Sequence, residues 1–130
     1  MFKTNFYIVI ITTRDKFDRP IKKQCFRQVS GWGELFEAPD GSPVSLRFDR
    51  RTPKAWRITE ESTGYAVNGD YYSTRAEAVR SITPEFLQKI ADRLKYSEML
   101  RAAETLAAFI LAQKSPIDKA AAGQYNNAKE

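Results

Sequence analysis

Apolar and polar positions alternate along the first half of the chain and change period in the second. Asn5 to Thr13 (NFYIVIITT) is an apolar, β-branched run that reads as a strand with both faces at least partly covered. Arg14 to Pro20 is a charged turn, and Ile21 to Val29 is a weaker strand that Ser30-Gly31-Trp32-Gly33 ends. Ala38-Pro39-Asp40-Gly41-Ser42-Pro43 reads as a turn, because proline presets φ and glycine admits positive φ. Val44, Leu46 and Phe48 then alternate with Ser45, Arg47 and Asp49, as in a half-buried strand, and Asp49 to Ala55 connects it to a strand at Trp56. Between Trp56 and Ile82, Ser62-Thr63-Gly64 and Asn68-Gly69 punctuate two alternating runs, which predicts a β-hairpin running straight into a helix.

The switch to helical period falls at Thr74 and Glu77, three apart, as the N-cap and N3 of a capping box whose side chains satisfy orphan amides. Thr83-Pro84-Glu85 is a second helix start, with a capping threonine, proline at the first helical position and an acid in the first turn. Phe86, Leu87, Ile90, Ala91 and Leu94 share one face. That stripe breaks at Ser97 and Glu98 and resumes with Met99, Ala102, Ala103, Leu106, Ala107 and Ile110. Two helices with a break near Tyr96-Ser97, or one long helix whose buried face rotates, both fit. The expected fold is α+β: an antiparallel sheet over roughly residues 5–67, packed on one face by helices from residue 74. Residues 1–114 read as a single domain and residues 115–130 as a C-terminal tail. The expected core is Ile8, Ile10, Leu46, Phe48, Trp56, Ile58, Val67, Val79, Leu87, Ile90, Leu94 and Leu106.

Composition narrows the partner more than the chemistry. In 130 residues, 42% are hydrophobic and 28% charged, as in ordinary soluble domains. The net charge of +5 favours an anionic partner: nucleic acid, a nucleoprotein or an acidic protein surface. Residues 1–65 hold 12 Lys/Arg against 8 Asp/Glu, and residues 66–130 hold 9 against 8, so the excess belongs to the β-like half. The chain has no histidine, which removes the usual neutral-pH base and the commonest metal ligand. Its one cysteine, Cys25, permits no internal disulfide and suits a reducing compartment. Phe6–Ile11 is too short for a secretory h-region, and no segment approaches the roughly 20 apolar residues that span a bilayer. The expectation is a cytoplasmic protein with no membrane partner.

The candidate nucleic-acid-binding residues are Arg47, Arg50, Arg51, Lys54 and Arg57, with Phe48 and Trp56 between them. Guanidinium and ammonium groups neutralise phosphates and neighbouring aromatics stack on bases. The plainer alternative makes Arg47 and Arg57 the solvated face of strands whose other face carries Phe48, Trp56 and Ile58. A second basic group, Lys16, Arg19, Lys22, Lys23 and Arg27, is diluted by Asp15 and Asp18. Tyr65, Tyr71 and Tyr72 flank Asn68-Gly69 and suit stacking on bases, anchoring a protein interface, or covering the sheet edge and the helix start. Ala102, Ala103, Ala107 and Ala108 permit close helix approach, within the chain or in a homodimer. Cys25 reads as a buried, inert thiol, since no histidine exists to activate it. Glu34, Glu37 and Asp40 lack a second acidic motif, and Gly31-Trp32-Gly33 lacks the rest of a phosphate-binding loop. No catalytic set, metal site or cofactor site is legible.

Trp56-Arg57 and Tyr72-Ser73-Thr74-Arg75-Ala76-Glu77-Ala78 lie in a stretch, Val44 to Ile82, that resembles the integrase arm-type DNA-binding domain in outline. That family has three short strands, a Trp-Arg on the middle one, and a Tyr/Phe-x-Thr-x-x-Glu-Ala entry into a packing helix. The resemblance implies a sheet face that enters the major groove, carrying Arg47 and Arg57. It covers about a third of the chain, and the strand at Phe6–Ile11 and the long C-terminal helical part are extra to it. The leading expectation is a non-catalytic protein that engages nucleic acid or a nucleoprotein through a basic sheet face. The alternative is a small protein–protein inhibitor or adaptor, of the kind phages and mobile elements carry, that acts on an acidic host protein surface through its C-terminal helices.

Overall fold

The computed structural model describes residues 1–114, so the tail expected over 115–130 lies outside the described residues. Four strands, β1 (Phe2–Arg14), β2 (Pro20–Glu37), β3 (Pro43–Thr52) and β4 (Ala55–Glu60), form an antiparallel sheet in chain order. Three helices follow: α1 (Arg75–Arg80), α2 (Pro84–Arg93) and α3 (Ser97–Ala112). The protein is α+β, with the sheet in its N-terminal half and the helices packed on it. No helix among the described residues is long and apolar enough to cross a membrane.

The turn chemistry explains most of the joints. Ala38 N donates to Ser42 O at 2.8 Å and Ser42 N to Asp40 Oδ1 at 2.9 Å, closing the β2–β3 turn. Glu77 N donates to Thr74 Oγ1 at 3.1 Å, while Glu77 Oε1 accepts from Ser73 N, one residue earlier than a symmetric capping box would place it. Thr83 Oγ1 caps α2 by accepting from Phe86 N at 3.1 Å. Lys95 and Tyr96 amides turn back onto Asp92 O and Arg93 O, which ends α2 and settles the break at Tyr96-Ser97 as two helices.

Three expectations are corrected. Gly31-Trp32-Gly33 does not end β2, because Trp32 pairs with Lys3 on one side and Phe48 on the other. A Cβ on Gly31 would lie 2.2 Å from Phe48 O, and one on Gly33 would sit 2.7 Å from the Arg47 guanidinium. These glycines admit close approach inside a strand and do not turn the chain. Arg50 and Arg51 are likewise strand residues, since β3 runs to Thr52 and only Pro53-Lys54 separates it from β4. The hairpin expected after Trp56 reduces to two isolated bridges, Thr59 with Ala66 and Trp56 with Tyr72. Asn68 spends its side chain on the Asp70 amide and the Tyr72 hydroxyl, and Gly69 takes no positive φ.

Val44, Leu46, Phe48 and Ile58 are wholly buried against Ala78, Leu87, Ile90 and Ala91, with Trp56, Val67, Val79 and Leu94 half-buried around them. Leu106 is buried, and the α3 residue Phe109 packs edge-on to Tyr7 and against Phe26, with ring centroids 5.4 and 4.9 Å away. The reverse face holds Phe6 and Ile8, both buried, whereas Ile10 is only half-buried. Val9 N donates to Gly64 O at 3.0 Å, so the sheet curls until its first strand meets the turn after its last. Gly64 has φ +76 there, a conformation open to glycine at no steric penalty.

Candidate nucleic-acid interface

Alternation along β3 and β4 splits the four candidate residues that lie in strands between opposite faces. Arg47 lies on the reverse face and is 8% exposed. Its guanidinium sits over the Phe2 ring at 5.2 Å, donates to Ser45 Oγ and Leu46 O, and lies 3.7 Å from a Glu61 carboxylate oxygen. Arg51 is half-buried on the same face and ion-paired with Asp49. Arg57 stacks over Tyr71 at 4.7 Å and donates to its hydroxyl. Lys54 is exposed at the β3–β4 turn. Arg50 alone turns to the helix side, exposed and paired across the sheet with Trp56.

Arg50 stands in a groove of about 680 Å³ at one end of the sheet, and that groove brings together residues far apart in sequence. Lys3 enters from β1, Trp32 from β2, Arg50 from β3, Trp56 from β4, and Ser73 and Arg75 from the start of α1. Lys3 lies opposite Trp32 in the β1–β2 register, its Nζ 5.7 Å from the ring. The Arg75 guanidinium lies 4.3 Å from the centre of that indole. Trp56 and Tyr72 exchange backbone hydrogen bonds of 2.7 and 2.9 Å, which pins Ser73 and the Thr74 cap against the sheet and sets Arg75 over Trp32. Three cations and two indoles line the groove, and no carboxylate does. A cation over an indole face is held by the ring quadrupole, and a stacked guanidinium keeps its N–H edge free for an anion.

Lys3, Trp32 and Arg75 were not legible as site residues. Lys3 precedes the expected strand start, Trp32 sat in the supposed turn, and Arg75 lay inside the capping box. One signal was present: residues 21–37 contain no Pro, Asn or Asp, and Phe26, Trp32 and Phe36 keep the period of an unbroken strand. The second basic group stays apart from the groove, because Lys16, Arg19, Lys22 and Lys23 lie at the far end of the β1–β2 hairpin.

The remaining chemical candidates disperse. Cys25 is exposed, contrary to the buried thiol expected, because β2 there pairs only with β1 and neither sheet nor helix covers its face. Glu34 lies 3.4 Å from the N-terminal amine. Asp40 accepts from Ser42, Gln88 and Lys95; the Ser42 bonds lead in holding its carboxyl far below the usual range. No group of three His, Cys, Asp or Glu side chains that could hold a metal occurs among the described residues. Compared with protein-family models, curated proteins and solved structures, the chain shows no significant match to any.

Proposed function

We propose that the protein is a non-catalytic nucleic-acid-binding protein that takes a phosphate-bearing strand into the groove between Lys3, Arg50 and Arg75. The carrying observation is the convergence of those three cations on Trp32 and Trp56 with no carboxylate in the lining. An acidic peptide would use the cations alone, whereas a nucleotide also uses the indoles, since every base has a face to stack. The resemblance of residues 44–82 to the integrase arm-type domain supports the same class of partner. Its groove-entering role is not carried to Arg47, whose guanidinium is enclosed by Phe2, Ser45 and Leu46.

Fluorescence anisotropy with labelled single-stranded DNA, duplex DNA and RNA, titrated across salt, tests this reading. The expected result is micromolar or tighter binding at low salt. Arg50→Ala with Arg75→Ala then removes about 1.4–1.8 from the slope of log K against log salt, on the rule of about 0.7–0.9 per phosphate. Wild-type affinity and slope in that double variant would sink the groove assignment.

A second reading, the protein–protein adaptor, draws on α3. Leu100 and Leu111 are 53% and 51% exposed and fall on one helical face with Ala107. Exposed leucines on an otherwise docked helix fit a partner surface. Light scattering and pull-downs with Leu100→Glu and Leu111→Glu test it: a strictly monomeric wild type whose captured partners are unchanged in the variants would remove it.

A further inference from the structure

Beyond the sheet proper, β1 and β2 continue as a two-stranded ribbon. β2 pairs with β3 only through Trp32–Glu37, while its pairing with β1 extends out to Pro20 opposite Arg14. Three contacts brace it: the Val9–Gly64 hydrogen bond, the packing of Phe26 on Phe109 and, furthest out, the Tyr65 hydroxyl donating to Gln24 Oε1 at 3.5 Å, with Gln24 opposite Ile11. From Ile11 to Arg14 the ribbon therefore reaches about 10 Å past the body, at about 3.3 Å per residue. Ile11 is 52% exposed and Phe17, at the tip, is 65% exposed. Such lengths of apolar strand without cover are unusual in a molecule that has helices available to cover them.

One face of this ribbon is a shallow hollow of about 520 Å³ lined by Arg14, Lys16, Arg19 and Lys23, with Phe17 and Cys25. The one carboxylate in that lining, Asp15, is spent on the turn. Its oxygens accept from the Phe17 and Arg19 amides and from Arg19 Nε, and the Arg19 amide leads in holding its pKa down. Lys16, Lys22 and Lys23 have no carboxylate partner among the described residues. The Lys16 and Arg19 cations each lie over the Phe17 ring, 5.2 and 5.0 Å from its centre.

We infer that the ribbon is a duplex-DNA grip: its basic face lies on the phosphates and Phe17 reaches the base edges. This rests on the reading of the protein as a nucleic-acid binder, but uses none of the groove residues. A two-stranded ribbon fits the B-form major groove, roughly 12 Å wide and 8.5 Å deep, and this one is long enough to reach its floor. The A-form major groove of RNA is too narrow for it. Lys16, Lys22 and Lys23 supply the sequence-independent attraction, while Arg14 and Arg19 are paired with Asp18 and Asp15, and an exposed phenyl ring at the tip supplies apolar contact with thymine methyl groups.

Cys25 is the chain's one cysteine, is exposed and lines the same hollow, so it reports occupancy directly. A saturating 20-base-pair DNA duplex is expected to slow iodoacetamide alkylation of Cys25 by about fivefold or more by blocking access. Lys16→Glu with Lys23→Glu is expected to weaken duplex binding by about tenfold or more and to lower its salt slope by about 2. Both residues are exposed, so folding is not at stake. Alkylation at the free rate while anisotropy shows the duplex bound, or wild-type duplex affinity in the charge-reversed pair, would overturn the ribbon. An RNA duplex that binds and protects Cys25 equally would overturn the major-groove assignment. Failure of the groove reading looks different: Arg50→Ala with Arg75→Ala would keep wild-type affinity while the ribbon pair still lost it.

Discussion

On the side of the sheet that faces the helices, Val44, Leu46, Phe48 and Ile58 exclude solvent with carbon alone. On the reverse side, Phe6 and Ile8 are nearly as dry, but they share the space with Arg47, Asp49 and Thr59, all less than a tenth exposed. Three atoms of that trio, Arg47 Nε, Asp49 Oδ1 and Thr59 Oγ1, have no protein hydrogen-bond partner. One face is a conventional core, where burial and close packing stabilise together. The other buries polar groups with only part of their bonding restored, an arrangement that lowers stability relative to an apolar filling of the same shape. Charge in this sequence therefore does not map onto surface: three of the five candidate basic residues are engaged in structure, and the cations that frame the groove, exposed Lys3 and Arg50 and half-buried Arg75, come from three separate elements.

Substitutions can break or sharpen that contrast. Phe48→Ala on the apolar face is expected to cost about 3–5 kcal/mol in chemical denaturation, the usual range for an emptied aromatic core site. Gly31→Ala, which would drive a methyl into Phe48 O across the β2–β3 pair, is expected to cost about 1–3 kcal/mol by overpacking. The reverse face should respond with the opposite sign. Thr59→Val keeps shape and removes an unpartnered hydroxyl, so a gain of about 1 kcal/mol is expected; a loss of that size would show that the hydroxyl is bonded and the contrast overstated. The smallest effect belongs to Asp40, an exposed carboxylate whose partners are complete. Because folding lowers its pKa, its contribution is full above the unfolded value near 3.8 and is lost as pH falls below it. The difference in Tm between wild type and Asp40→Asn is therefore expected to be constant from pH 7 to 5 and to shrink below about pH 4.

What could be read from the chain follows the range of the interactions. The Ala38–Pro43 turn and the Thr74 and Thr83 caps are set within a few residues and were legible, while the break at Tyr96 was legible only as one of two alternatives. Gly31-Trp32-Gly33 was not, because glycine serves a turn and a close crossing equally well, and only the neighbouring Phe48 carbonyl decides between them. Alternation put Arg47 opposite Phe48 correctly. Whether that face meets water depends on the curl that carries β1 round to Gly64, which no local pattern encodes. The groove was legible through Arg50 and Trp56 alone for the same reason: Lys3 and Arg75 stand 72 positions apart and meet over one indole.

The hydrogen bond between Val9 and Gly64 also bears on time. Every strand pairing in the sheet joins chain neighbours, so the hairpins can zip on the scale of about 1–10 μs each. The curl that joins β1 to the turn after β4 must instead hold two points 55 residues apart, and its loop entropy is met only when the flanking structure already exists. Closure is then expected to be a late event on the folding path. A contact made late slows unfolding without hastening folding, so this one bond helps set the lifetime of the native state more than the speed of reaching it.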